Sequence, residues 1–285
     1  MKGFFLISIS TIAFSGCFQQ IAVSSLGGIM QTGFEVLNQE QDLELADRSI
    51  ASNLKLIETI LEKDPDNTHY LLLASIGYSS YALGFVEDDS IERARLFYSR
   101  AKEFGLRILR RHDRIAAGLG LGIGDFAASL ATLSKEDVPA VFWTAVAWGS
   151  LIRSDLSNSA GIAELPRVEA LMQFVHEKDP TFFYGGADFF LGTLYASRSN
   201  MLGGDTARAR GYFEDCLRIN GGKFLMTYIY YAQTYAYQTQ NRELFERCLT
   251  AVDTASIDIL PESRLSNAIA KKKARLLRSH IEEIF

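Results

Sequence analysis

Self-similarity at one fixed offset constrains this chain more than any other feature. Glu62-Lys63-Asp64-Pro65 recurs 115 residues later (64 to 179) as Glu177-Lys178-Asp179-Pro180. The same offset carries Gly77 onto Gly192, Arg93-Ala94-Arg95 onto Arg208-Ala209-Arg210, Tyr98 onto Phe213 and Ala101 onto Cys216. One offset serving so many positions marks an internal duplication, and duplicated units of this size stack side by side to bury a shared core.

Each unit reads as helices. Leu54, Ile57, Ile60 and Leu61 repeat at helical spacing and stop at Asp64-Pro65, because the residue before a proline is pushed out of the helical region. Val168, Leu171, Met172 and Val175 form a second stripe, with Pro166 suited to its first turn and Asp179-Pro180 closing it. A third apolar helix runs from about Pro139 to Ile152, and Leu225, Tyr228, Ile229, Ala232, Tyr235 and Ala236 line a fourth. No alternating strand pattern appears, so the expected class is all-α. Small, aromatic, small at Ala94, Tyr98, Ala101 and at Ala209, Phe213, Cys216 resembles the tetratricopeptide repeat, in which small residues let two helices approach and an aromatic fills the space between them. The glycine-to-alanine spacing of 17 (77 to 94, 192 to 209) implies long interhelix loops at 85–90 and 200–205.

The amino terminus speaks to compartment. Met1-Lys2-Gly3 precedes an apolar run from Phe4 to Phe14, short for a membrane span and right for a signal-peptide core. Ser15-Gly16-Cys17 then resembles a lipobox, which makes residues 1–16 a lipoprotein signal, Cys17 the lipidated mature first residue, 17–40 an anchor and linker, and 41–285 the repeat domain. Phe18, rather than Asp, after that cysteine points to the periplasmic face of an outer membrane. Residues 115–133 carry Asp125 as their one charge, yet a central Asp and glycines at 118, 120, 122 and 124 argue against a span. No strand precedes those glycines and no lysine follows in phosphate-loop register.

Chemistry is sparse. A net charge of -5 disfavours nucleic acid. His69, His112, His176 and His280 have no metal-ligand spacing, no nucleophile motif occurs, and neither an enzyme, a metal nor a cofactor is expected. Cys216 and Cys248 read as buried small hydrophobes, with a bridge between them left open. The basic run Lys271, Lys272, Lys273, Arg275 and Arg278 reads as a solvated helix face. Binding is the remaining role. Tyrosines 228, 230, 231, 235 and 237 point around more than one helix face, and a ring with a polar tip suits an amphipathic ligand such as a fatty or aromatic acid. Tyr228, Tyr231, Tyr235, Trp143 and Phe189 are the ligand-binding candidates, against the alternative that they pack between helices.

Several segments together carry a family resemblance. They are Lys135-Glu136-Asp137-Val138-Pro139-Ala140-Val141-Phe142-Trp143, Leu165-Pro166-Arg167-Val168-Glu169-Ala170-Leu171-Met172, Gly203-Gly204-Asp205 leading into Ala207-Arg208-Ala209-Arg210, Asn241-Arg242-Glu243-Leu244-Phe245-Glu246-Arg247, and the helix from Lys271 to Arg278. In that order they resemble the TRAP-transporter-associated TatT family across nearly all of the chain after the signal. The resemblance implies a periplasmic lipoprotein of divergent helical repeats, a homotrimer containing a pore, and a partnership with a TRAP-type solute-binding protein. It further implies a hydrophobic organic ligand held or passed without catalysis. The alternative is a lipoprotein scaffold that binds peptides or outer-membrane assembly partners.

Overall fold

Asp-Pro stops and polar caps divide the chain into helices where the sequence expects them. A computed structural model describes residues 28–198 and 203–285; Cys17 and the expected signal lie outside the described residues. The first helix, α1, covers 28–38. It is followed by α2 (Leu43–Leu61), α3 (Thr68–Tyr81), α4 (Ile91–Leu109), the short α5 (Asp113–Gly118) and α6 (Ile123–Leu130), and α7 (Val138–Arg153). The second half holds α8 (Ser159–Ile162), α9 (Leu165–Lys178), α10 (Phe182–Ala196), α11 (Thr206–Asn220), α12 (Met226–Tyr230), α13 (Arg242–Thr254), α14 (Arg264–Ser279) and α15 (Ile281–Ile284). Among the described residues there is no strand, and the fold is an all-α helical repeat domain.

Positions 115 apart match in atomic detail at the two helix starts. Ser90 and Asp205, 115 apart (90 to 205), cap α4 and α11 with nearly the same backbone, φ -154° and ψ 102° against φ -150° and ψ 100°. Each side chain accepts from the amide three residues on, Arg93 N at 3.3 Å and Arg208 N at 2.9 Å, satisfying a donor that a helix start leaves free. Ala94, Tyr98, Ala101 and their counterparts Ala209, Phe213, Cys216 are all fully buried. The glycines differ in what they admit. A Cβ on Gly192 would lie 3.1 Å from the Phe213 ring of its own helix pair, whereas one on Gly77 would meet Leu54 of the preceding helix.

Two expectations need correction. The segment beginning at Phe85 is not all loop: α3 continues as a π-helical turn over Ala82–Val86, and the wider turn takes up residues that the spacing had assigned to a longer connection. Of the matching loop, only 203–205 falls within the described residues. The basic run is not uniformly solvated either. Lys273 is 5% exposed, because it shares the inner face of α14 with Ile269, Ala270 and Ala274. Elsewhere the glycine-rich stretch forms α5 and α6, drawn together where Gly118 faces Ser129. No helix among the described residues is long and apolar enough to cross a membrane.

Packing runs in order from α2 through α3, α4, α7, α9 and α10 to α11, after which α12, α13 and α14 complete the circuit. The circuit closes, since α14 packs on α2 and on α12. Arg264 at the start of α14 donates to the Gln39 carbonyl at 3.0 Å across 225 residues of sequence. A closed circuit of helices leaves an interior that side chains must fill or surround.

Candidate ligand cavity

That interior contains a cavity of about 270 Å³, walled by α1, α2, α3, α7, α10, α12 and α14. Its walls are apolar: Ile50 and Ile76 on one side, Trp143 and Val146 on α7, Phe189 and Phe190 on α10, with Met226 and Ile269 closing the rest. Glycines let the rings in close. A Cβ on Gly149 would sit 2.4 Å from the Phe190 ring, and one on Gly186 would sit 2.7 Å from that of Phe142.

The start of α10 is the most unusual piece of wall. Phe183, Tyr184 and Gly185 have φ of 46°, 61° and 81°, left-handed values that disfavour the two side-chain-bearing residues by roughly 1–2 kcal/mol each. The turn points both rings at the cavity. Phe183 meets Trp143 edge-on at 5.0 Å, and Tyr184 stacks on Phe224 at 5.1 Å. Asn220 holds the turn by donating to the Tyr184 carbonyl at 3.2 Å, and the Cys216 thiol approaches the same oxygen at 3.6 Å.

At one edge of the cavity the wall becomes ionic. Arg153, the last residue of α7, lines it and donates from Nη2 to Glu87 Oε2 at 2.6 Å. Tyr98, the central aromatic of the first repeat, donates to the same oxygen at 2.7 Å. Lys273 reaches Glu87 Oε1 at 3.3 Å and Asp88 at 2.6 Å. Burial alone would raise the Glu87 carboxyl, but Arg153 and Lys273 with the Tyr98 hydrogen bond outweigh it and hold it below the usual range. Burial and the Glu87 charge push the Tyr98 hydroxyl well up. Tyr230 lies on the cavity wall, 4% exposed, and its hydroxyl has no hydrogen-bond partner among the described residues.

The sequence candidates separate into two groups. Trp143 and Phe189 reach the cavity. Tyr231 stacks on Phe213 at 4.7 Å and, with Tyr235, Arg210 and Glu214, borders a smaller polar depression of about 140 Å³. Tyr228 is half-buried beside Gly222. Of the five tyrosines in that stretch, Tyr230 is the one on the cavity wall. The split follows helical spacing: Tyr228, Tyr231 and Tyr235 stand three and four residues apart on one face, and Tyr230 lies on another, the face that meets the cavity. Arg153, Phe183 and Tyr184 were not anticipated. The run Phe182-Phe183-Tyr184-Gly185-Gly186 after Pro180-Thr181 was the available hint, three rings followed by two residues able to turn sharply.

Other chemistry is quiet. Cys216 and Cys248 are free, and burial pushes each thiol up to about 12. His176 contacts the buried Asp188 at 2.6 Å; burial raises that carboxyl, with the imidazole opposing. Among the described residues no three His, Cys, Asp or Glu side chains gather as a metal site.

Comparison with known proteins places the same residues in context. A family model described as TRAP transporter T-component matches residues 39–285. An uncharacterized protein of Treponema pallidum (strain Nichols) is 23% identical over 266 residues, covering 88% of this chain and 82% of that protein.

Proposed function

The chain belongs to the TRAP transporter T-component family, matched over residues 39–285, and from that accessory role in transport we propose that it holds a hydrophobic organic ligand in its central cavity in partnership with an extracytoplasmic solute-binding protein. The observation that carries this reading is the cavity itself. It is apolar, and its rings come from helices far apart in sequence. Small-molecule sites have this composition, concave and mostly apolar with a few placed polar groups. Lipidation at Cys17 after removal of residues 1–16, anchorage at the outer membrane and assembly into a homotrimer belong to the same proposal and rest on the signal motif and the family.

Binding of the uncharged fluorophore N-phenyl-1-naphthylamine tests it. Its fluorescence should rise with the wild-type protein, and Val146→Trp, which places a ring in the cavity, should abolish the rise while the protein still melts cooperatively. Equal binding by a folded Val146→Trp variant refutes the reading. In a pull-down from a periplasmic extract the bait should recover a solute-binding protein; recovery of envelope-assembly proteins alone would favour the peptide-scaffold alternative.

A further inference from the structure

We propose that Arg153 and Tyr230 form the polar anchor of the cavity, and that the ligand it takes is an amphipathic organic anion whose carboxylate pairs with the Arg153 guanidinium. This rests on the cavity being the binding site and adds the head group that site selects.

Three observations support it. Among the described residues the one hydrogen bond of the Arg153 side chain is Nη2 to Glu87, which leaves the other N–H groups of the fork uncommitted. Those groups are not sealed in protein: 36% of the side chain is exposed and the residue lines the cavity, whereas the unpaired Nε and Nη2 of Arg198 on the same wall are closed off. The unpartnered Tyr230 hydroxyl lies on the same wall but is closed off like the Arg198 nitrogens, so it reaches a head group only when its ring turns.

The donors decide the chemistry. A guanidinium has only N–H donors in a planar fork, so its partner must accept, and a carboxylate accepts from two of them at once. Glu87 and Asp88 already balance Arg153 and Lys273, which keeps the empty site neutral and folded. The other arginine on the wall, Arg198, pairs with Glu169 at 3.3 Å, so the uncommitted N–H groups of Arg153, not a surplus of charge, are what would draw an anion. An apolar wall with one placed polar group suits a ligand with one carboxylate on an apolar tail, of which octanoate is the simplest probe.

Calorimetric titration of the full protein with octanoate, octanamide and octan-1-ol tests the anchor. Octanoate should bind at least about tenfold more tightly than either neutral probe. Arg153→Gln should weaken octanoate about 10- to 100-fold and change octan-1-ol by less than about threefold. Tyr230→Phe should weaken octanoate about 2- to 10-fold. Because Arg153→Gln leaves Glu87 short of a partner, the double variant Glu87→Gln/Arg153→Gln is read in parallel and should show the same selective loss. Octanoate binding no more tightly than octan-1-ol, or a folded Arg153 variant weakening both alike, overturns the proposal. N-phenyl-1-naphthylamine reports the cavity without a charged head group. If the fluorophore binds while octanoate shows no preference, the anchor fails and the cavity reading stands; if neither binds, both fail.

Discussion

Replacing Lys273 with methionine should destabilise the protein by about 3 kcal/mol, a large effect for a lysine from a run of basic residues. Removing one partner of a buried ion pair costs roughly 3–5 kcal/mol, because the other charge stays buried. Here the low end applies. Glu87, 7% exposed, keeps Arg153 at 2.6 Å and the Tyr98 hydroxyl at 2.7 Å, and Asp88 is 21% exposed, so water recovers part of the loss. Methionine matches the aliphatic stem of lysine, so little packing is lost. For a chain of this size about 3 kcal/mol corresponds to a fall in Tm of roughly 6–12 °C, read by circular dichroism and confirmed by urea unfolding. Lys271→Met is the control. Its ammonium reaches the Asp253 carbonyl from a half-buried position, and its loss should cost under about 1 kcal/mol. In a double-mutant cycle Asp88→Asn should cost less in the Lys273→Met background than alone. A Lys273→Met variant within about 1 kcal/mol of wild type, or one no worse than Lys271→Met, would refute the argument that this ion cluster ties α14 to the turn after α3.

Acid should loosen the same cluster. The Glu87 carboxyl lies below its ordinary 4.5 in the folded state, so its contribution is complete above that value and disappears as pH falls through the lower folded one; Tm measured from about pH 6 to 3 should drop less steeply for Glu87→Gln than for wild type. Two glycine-to-alanine changes one helix apart should have opposite signs. At Gly211 in α11 a Cβ meets nothing within 4 Å and should stabilise by about 0.5–1 kcal/mol, whereas at Gly192 it would press on the buried Phe213 ring and should destabilise by about 1–3 kcal/mol, both by urea unfolding. Asn220→Ala strips the Tyr184 carbonyl of its 3.2 Å donor and should cost about 1–2 kcal/mol, with weaker N-phenyl-1-naphthylamine binding as the left-handed turn relaxes.

What could be read from the sequence was what local physics writes into it. Asp64-Pro65 and Asp179-Pro180 end helices for steric reasons confined to neighbouring residues, and the small-aromatic-small pattern at Ala94, Tyr98 and Ala101 is the imprint of one helix on the next. The constant offset therefore led to two matching helix pairs with matching caps. Lys273 escaped because its partners lie 185 and 186 residues away, and a run of five basic side chains hides the one on the inner face of its helix. The tyrosines divided for a related reason. Helical spacing puts Tyr228, Tyr231 and Tyr235 on one face and Tyr230 on another, and which face meets the cavity is set by how distant helices close the circuit, not by the local pattern. Arg153 was legible only as the end of an apolar helix. Its place at the cavity depends on the circuit closing, which no local pattern encodes.

The cavity is specified by the chain, not left over from imperfect packing. Leftover space in a core is surrounded by ordinary geometry, and one or two larger side chains remove it. This space is bordered instead by conformations that cost free energy. The left-handed turn places Phe183 and Tyr184 on its wall. One π-helical turn supplies Leu83 and Phe85, and another begins directly after Tyr230. The left-handed residues cost on the order of 1–3 kcal/mol each and persist only where the surroundings enforce them, and π-helical turns are rare and gather at functional sites. Enforcement is visible: Asn220 and Cys216 grip the Tyr184 carbonyl, and the residues just after the first π turn, Glu87 and Asp88, are locked by Arg153, Tyr98 and Lys273. A regular α10 would spare the strain at residues 183 and 184 but would turn both rings away from their present places on the wall. The costly geometry and the groups enforcing it converge on one apolar space, and that convergence is the physical support for the proposal that the cavity holds an occupant.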